Sequence, residues 1–182
     1  MKKFYFFILI ILLNNGVQAS EKDKIIENLK DIRNIIFNFE QNINDKIENG
    51  VCTIQYPKKI FCKYNSANQK ILVSDGKLLA IKTLSSYYLY SLNQTPLEFI
   101  LDKEFLIKKI NNADQRIVDD KYINFSFTEN QNEINLFFDK KNFNLIGWQT
   151  KDTYQNLSIT FLNSIVKNQK LKKGIFQIPR QG

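Results

Sequence analysis

There is no histidine anywhere in the 182 residues. That single absence removes the Ser-His-Asp and Cys-His nucleophile systems, the helical two-histidine zinc motif and most transition-metal sites. A Gly-x-Ser-x-Gly elbow and a cluster of ligands at metal spacing are also missing. The enzyme class left is a paired-carboxylate hydrolase. Its obvious carboxylate, Asp75, precedes Gly76 and is first of all a turn residue. No catalysis, metal or cofactor is expected. The formal charge is +8, yet the lysines are spread along the chain and no basic cluster carries interleaved aromatics. Nucleic acid is therefore not the expected partner.

Long hydrophobic runs are scarce. The longest, residues 4–13, is ten residues, whereas a helix that crosses a bilayer needs about 20. It follows the basic Met1-Lys2-Lys3 and precedes the small residues of Val17-Gln18-Ala19, the order found in a secretory signal peptide. Residues 1–19 are read as that signal, with a retained membrane anchor as the alternative. Ser20 stands where a lipoprotein signal would need a cysteine. The expected product is an exported, unlipidated chain, residues 20–182, long enough for one domain with a real core.

Cysteine is scarce as well. Cys52 and Cys62 lie symmetrically about Pro57. If residues 50–64 form a hairpin, the two face each other at a spacing a disulfide tolerates. An oxidising compartment favours the pair as a structural staple; two buried free thiols are the alternative.

What is present reads as strands. Residues 50–82 suggest two consecutive hairpins. Pro57 breaks the first ladder, and Asp75-Gly76 turns the second. Cys52, Ile54 and Tyr56 alternate onto one face, as do Ile60, Cys62 and Tyr64. Upstream, residues 21–39 carry Ile25, Leu29, Ile32, Ile36 and Phe39 at helical spacing, with Ser20 and Asp23 approximating a capping box. Residues 37–41 run towards a first strand that ends in a polar turn over residues 42–49. A strand is expected at residues 87–92, and ordinary strand packing for its tyrosines 87, 88 and 90. A helix starting at Thr95-Pro96-Leu97, with Thr95 as cap, carries Leu97, Ile100, Leu101 and Phe105. Residues 111–120 read as loop. Strands follow at 122–128, 132–138, 142–150 and 155–162, with residues 151–153 as the last turn. Phe176 and Ile178 sit in a closing strand stopped by Pro179. Trp148, alone on a late strand, reads as core. There is no internal repeat.

The fold class is therefore mainly β. An antiparallel sheet of this many strands must coil, and its apolar face needs cover. The economical solution is a curved half-barrel, an unclosed β-barrel, with the helical segments over its concave side.

Several stretches, in order, resemble the outer-membrane lipoprotein carrier protein family (LolA). They are Gln55-Tyr56-Pro57-Lys58-Lys59-Ile60-Phe61, the run Gln69-Lys70-Ile71-Leu72-Val73-Ser74-Asp75-Gly76-Lys77-Leu78, Thr95-Pro96-Leu97 and the terminal Ile175-Phe176-Gln177-Ile178-Pro179. A signal peptide followed by a helix that leads into Phe37-Asn38-Phe39-Glu40-Gln41 also fits. The resemblance implies a helical lid over a hydrophobic cavity that holds the acyl chains of lipoproteins. It implies periplasmic localisation, cargo received from an inner-membrane ABC-type release complex, and delivery to an outer-membrane acceptor. A monomer is expected. The residues expected to contact acyl chains are Ile54, Tyr56, Ile60, Tyr64, Ile71, Val73, Leu79, Ile81, Leu89 and Phe99. Ile25, Leu29, Ile32 and Ile36 are expected in the lid, and Ile60 at the cavity mouth, touching the release complex. Two departures stand out. The family's usual arginine before the hairpin proline, a lid tether, is here Tyr56, and a usual aromatic is here Cys62. The family's outer-membrane receptor shares the fold but is normally lipidated, and Ser20 counts against it. A binding protein for another amphiphile and an unlipidated carrier-plus-receptor are the remaining alternatives.

Overall fold

The first and last strands lie side by side in the middle of one antiparallel sheet. These are β1 (Asn34–Ile43) and β11 (Leu157–Lys167). The computed structural model describes residues 19–151 and 156–181; the expected signal peptide, residue 19 apart, and most of the turn at 151–153 lie outside them. From β1 the sheet grows outward through β2 (Lys46–Gln55), β3 (Lys59–Tyr64), β4 (Ile71–Asp75), β5 (Leu78–Lys82) and β6 (Tyr87–Ser91). From β11 it grows the other way through β10 (Leu145–Lys151), β9 (Asn132–Asp139), β8 (Tyr122–Glu129) and β7 (Arg116–Val118). Among the described residues the end strands β6 and β7 do not pair, so the eleven strands described form an unclosed half-barrel. Two-residue turns at Asn44-Asp45 and Asn130-Gln131, all with φ > 0, suit the right-handed twist of the strands they join.

The expected helix over residues 21–39 is only half right. α1 (Glu21–Asp31) has the capping box of Ser20 and Asp23. It then stops, and Ile36 and Phe39 belong to β1. Residues 34–39 satisfy two periods at once: helical spacing through Ile32, Ile36 and Phe39, and alternation through Ile35, Phe37 and Phe39. Ladders to β2 and β11 on both sides decide for the strand. The expected turn over 42–49 shrinks to two residues for the same reason. The second helical segment breaks in two, α2 (Leu97–Ile100) and α3 (Lys103–Asn112), because Asp102 caps α3 by accepting from the Phe105 N–H. Thr95 does not cap α2; its hydroxyl donates to the Leu92 carbonyl. Part of the expected loop at 111–120 is β7.

The closing strand is absent among the described residues. β1 and β11 already occupy each other's edges, so Phe176 and Ile178 find no ladder. Residues 168–181 instead cross the convex face. Asn34 and Gln169 exchange hydrogen bonds at one end, and Lys82 donates to the Arg180 carbonyl at the other. Val73 and Ala80, cross-strand partners on that face, are 1% and 0% exposed.

Candidate functional site

The registers fix which side chains share the concave face. Ile54, Ile60, Ser74, Leu79 and Tyr90 stand opposite one another across β2 to β6, and Cys52, Cys62, Leu72 and Ile81 form the next row. Of the expected acyl-contact residues, Ile54, Ile60, Tyr64, Leu79, Ile81, Tyr56 and Phe99 join one apolar cluster. Ile71, Val73 and Leu89 do not. They project from the convex face, and Leu72 and Ser74 take the inward places on β4. Ile71-Leu72-Val73 is an unbroken apolar run, so alternation gives no phase, and a one-residue slip inverts the face. The other half-sheet supplies inward residues missing from that expected set. Phe39, Phe125, Leu136, Phe138, Trp148 and Leu162 are all buried, and Phe37 meets Trp148 edge to face.

Three helices cover this face. α1 buries Ile25, Ile26 and Leu29, and Ile32 is buried at its C-cap; α3 buries Leu106, Ile107 and Ile110. Ile36, expected in the lid, points from β1 to the convex side opposite Thr53 and Val166. The helices fill the concavity almost completely. A void of about 30 Å³ remains, lined among others by Phe39, Ile60, Leu97 and Trp148. Ile60 is 2% exposed beneath α2, so it is not at an open mouth. The disulfide between Cys52 and Cys62 is formed and faces the same interior.

The helical cover is tied to the sheet at Lys58, a residue that no pattern in the sequence singles out. Its backbone N–H donates to the Leu101 carbonyl at 2.7 Å. Its carbonyl accepts from the buried Ser74 hydroxyl. Its ammonium lies 3.0 Å from Glu98 Oε1 and 3.6 Å from Asp102 Oδ2. The hydrogen bond to Glu98 is the main cause that raises the Lys58 pKa above the usual lysine value. The cation is therefore in place across the acid and neutral range and is lost only as pH rises through that raised pKa. Tyr56, at the place of the family's arginine, makes no side-chain hydrogen bond among the described residues. Its ring packs on the cluster, and burial raises its hydroxyl pKa. Elsewhere Lys109 of α3 pairs with Glu129 of β8, and Lys103 donates to the Lys30 and Ile32 carbonyls below α1.

Substituting Lys58→Ala should cost about 0.2–1 kcal/mol, the range of partly exposed ion pairs. Its own amide is the best reporter, since that N–H seats on Leu101. Exchange there should quicken by up to about fivefold, and adding salt to the unsubstituted protein should quicken it in the same sense. Unchanged exchange would show that the main-chain contact alone holds the helical cover at this point.

A recess of about 460 Å³ lies between β5–β6 and the β8–β9 turn, with Leu79, Ile81, Tyr90 and Phe99 beside Asn130 and Asn132. Tyr88 and Tyr90 are 52% and 43% exposed on the edge strand β6 rather than packed as expected. Among the described residues no cluster of three or more Cys, Asp or Glu could hold a metal ion, and no helix is long and apolar enough to cross a membrane.

No curated protein matches the chain significantly. Among solved structures it is similar to an uncharacterised conserved protein from Thermus thermophilus (6% identity, 88% of this chain and 93% of that one, TM-score 0.51). The Pseudomonas aeruginosa MucA/MucB complex matches at 12% identity, 88% of this chain and 62% of that one, TM-score 0.50. A LolA superfamily protein from Nitrosomonas europaea matches at 12% identity over 88% of this chain and 99% of that one, TM-score 0.45. At these identities the first two likenesses speak for the fold alone, and nothing is rested on the third. The family model described as outer membrane lipoprotein carrier protein LolA matches residues 30–179, and on that match, most of its length, the chain belongs to the LolA family.

Proposed function

We propose that this protein is a periplasmic carrier that shields lipoprotein acyl chains on the concave face of its half-barrel. The observation that carries this reading is a deep apolar face covered by separate helices rather than by a second sheet. Those helices are joined to the sheet's rim by ion pairs and a few main-chain contacts. Lifting them exposes Ile54, Ile60, Leu72 and Leu79 without breaking any strand ladder. Each methylene of an acyl chain buried there contributes about 0.8 kcal/mol. The helices compete for the same surface and weaken net binding, as a shuttle requires. In this reading an inner-membrane ABC-type complex drives loading, an outer-membrane acceptor takes the cargo, and the carrier works as a monomer. Ile60 would meet the release complex only after α2 moves.

The test uses the chain from Ser20 onward, membrane vesicles that carry a labelled triacylated lipoprotein, and the cognate ATP-driven release complex. ATP-dependent appearance of a soluble one-to-one complex is the expected result. If cargo stays in the membrane while a fluorescent fatty-acyl probe still binds, the protein is a carrier of some other amphiphile. If neither binds, the concave face is a packed core and the carrier reading fails.

A further inference from the structure

The convex face holds a second recess, of about 500 Å³, between the sheet and the crossing segment of residues 168–181. Asn34, Gln55, Lys59 and Asp75, the ends of four neighbouring strands, form one wall; Lys172 and Lys173 stand on the other. Three lysines thus line a cavity together with one residue that bears a carboxylate. That carboxylate is already committed, since Asp75 Oδ1 accepts from the Lys77 and Leu78 N–H groups of the hairpin turn. Lys59, Lys172 and Lys173 form no ion pair among the described residues. The side-chain amides of Gln55 and Gln177, both on the lining, also lack hydrogen-bond partners among the described residues.

The surroundings have the same sign. Residues 168–181 contain Lys170, Lys172, Lys173 and Arg180 and no Asp or Glu. Lys63 and Lys82 alternate onto the same face of β3 and β5. Exposed Val51 and Val166 lie on this face as well. Unpaired cations and amide donors in one recess select an anion with several acceptor oxygens, as a phosphate has. Exposed aliphatic side chains beside them suit an anion presented at an apolar boundary rather than one free in water. We propose that this recess binds the phosphate of an anionic phospholipid headgroup, which docks the convex face of the protein on a membrane. The proposal concerns the face opposite the lid and does not depend on what the concave side carries.

The test is sedimentation of the chain from Ser20 onward with phosphatidylcholine vesicles, with and without phosphatidylglycerol. Binding is expected only with the anionic lipid and should weaken as salt shortens the Debye length. The triple substitution Lys59→Gln/Lys172→Gln/Lys173→Gln should lower that binding at least about tenfold. The equal charge change Lys108→Gln/Lys121→Gln/Lys141→Gln, on exposed sites elsewhere, should alter it less than about twofold. All six lysines are surface residues, and a thermal melt checks that both variants fold. Equal losses in the two variants would mean that net charge alone acts, and the site would be overturned. So would equal binding to uncharged vesicles. If dissolved glycerol phosphate titrates the recess while anionic vesicles are ignored, the ligand is a soluble phosphate and the lipid assignment falls.

Discussion

Leu106→Ala should loosen the protein and at the same time tighten its hold on an acyl chain. Leu106 is fully buried on the face of α3 turned to the sheet. Truncating such a leucine costs about 2–5 kcal/mol, through lost transfer energy and the cavity left behind. For a domain of this size the melting temperature should fall by about 2–4 °C for each kcal/mol. On the carrier reading proposed above, the same contact opposes loading, because the helices must leave before a chain can enter. Whatever part of the loss falls on lid closure is returned to the cargo. Each 1.4 kcal/mol of it raises the apparent affinity for a fluorescent acyl probe about tenfold, until the open form dominates. Phe125→Ala is the matching control. Phe125 is as buried as Leu106 but belongs to β8, the floor that empty and loaded states share. Its loss should lower stability and probe binding together. A thermal melt and a probe titration on both variants decide the matter. If Leu106→Ala also lowers both, α3 is ordinary core and does not act as a lid.

The helical cover could be foreseen from the sequence, but its tie to the sheet could not. The spacing of Ile25 and Leu29 on a capped helix, and the apolar run from Leu97, announce two helical covers for an alternating sheet. What they cannot announce is Lys58. Its partners Glu98 and Asp102 lie some forty residues away, and only the return of the chain after β6 brings them within reach. The family resemblance draws the eye to Tyr56 instead, where the usual arginine would stand, and there the side chain only packs on the apolar cluster. The same limit explains Ile71 and Val73. Their facing depends on the ladders to β3 and β5, not on anything within β4. Where the pattern is unambiguous it holds: Ile54 and Ile60 are opposite each other and inward, and Ile123, Phe125, Ile134 and Leu136 are all buried. The C-terminal segment errs the other way. Phe176 and Ile178 alternate like a strand and end at a proline, yet β11, the strand they follow, is already paired on both sides by β1 and β10.

Reduction of the Cys52–Cys62 bond should lower the melting temperature without altering the acyl site. The two cysteines are direct partners across β2 and β3, ten residues apart in sequence, so the bond closes one short loop around the Tyr56–Lys58 turn. For a loop of that length the chain entropy removed from the unfolded state amounts to about 2.7 kcal/mol, or about 5–11 °C in melting temperature. The effect falls on the unfolded chain. In the folded protein the ladder from Gly50–Tyr64 to Gln55–Lys59 already holds the two strands together. The sulfurs face the interior between Ile60 and Tyr64, so reduction leaves two small apolar thiols where the bridge was and opens no hole. Melts with and without a reductant, alongside probe titrations under both conditions, test the two halves separately. A melting temperature unmoved by reduction would mean that the hairpin is ordered in the unfolded chain and the bond constrains nothing. A shift in probe affinity of more than about twofold would mean that the bond shapes the cavity wall, and the entropic account, which predicts no change in the folded state, would be wrong.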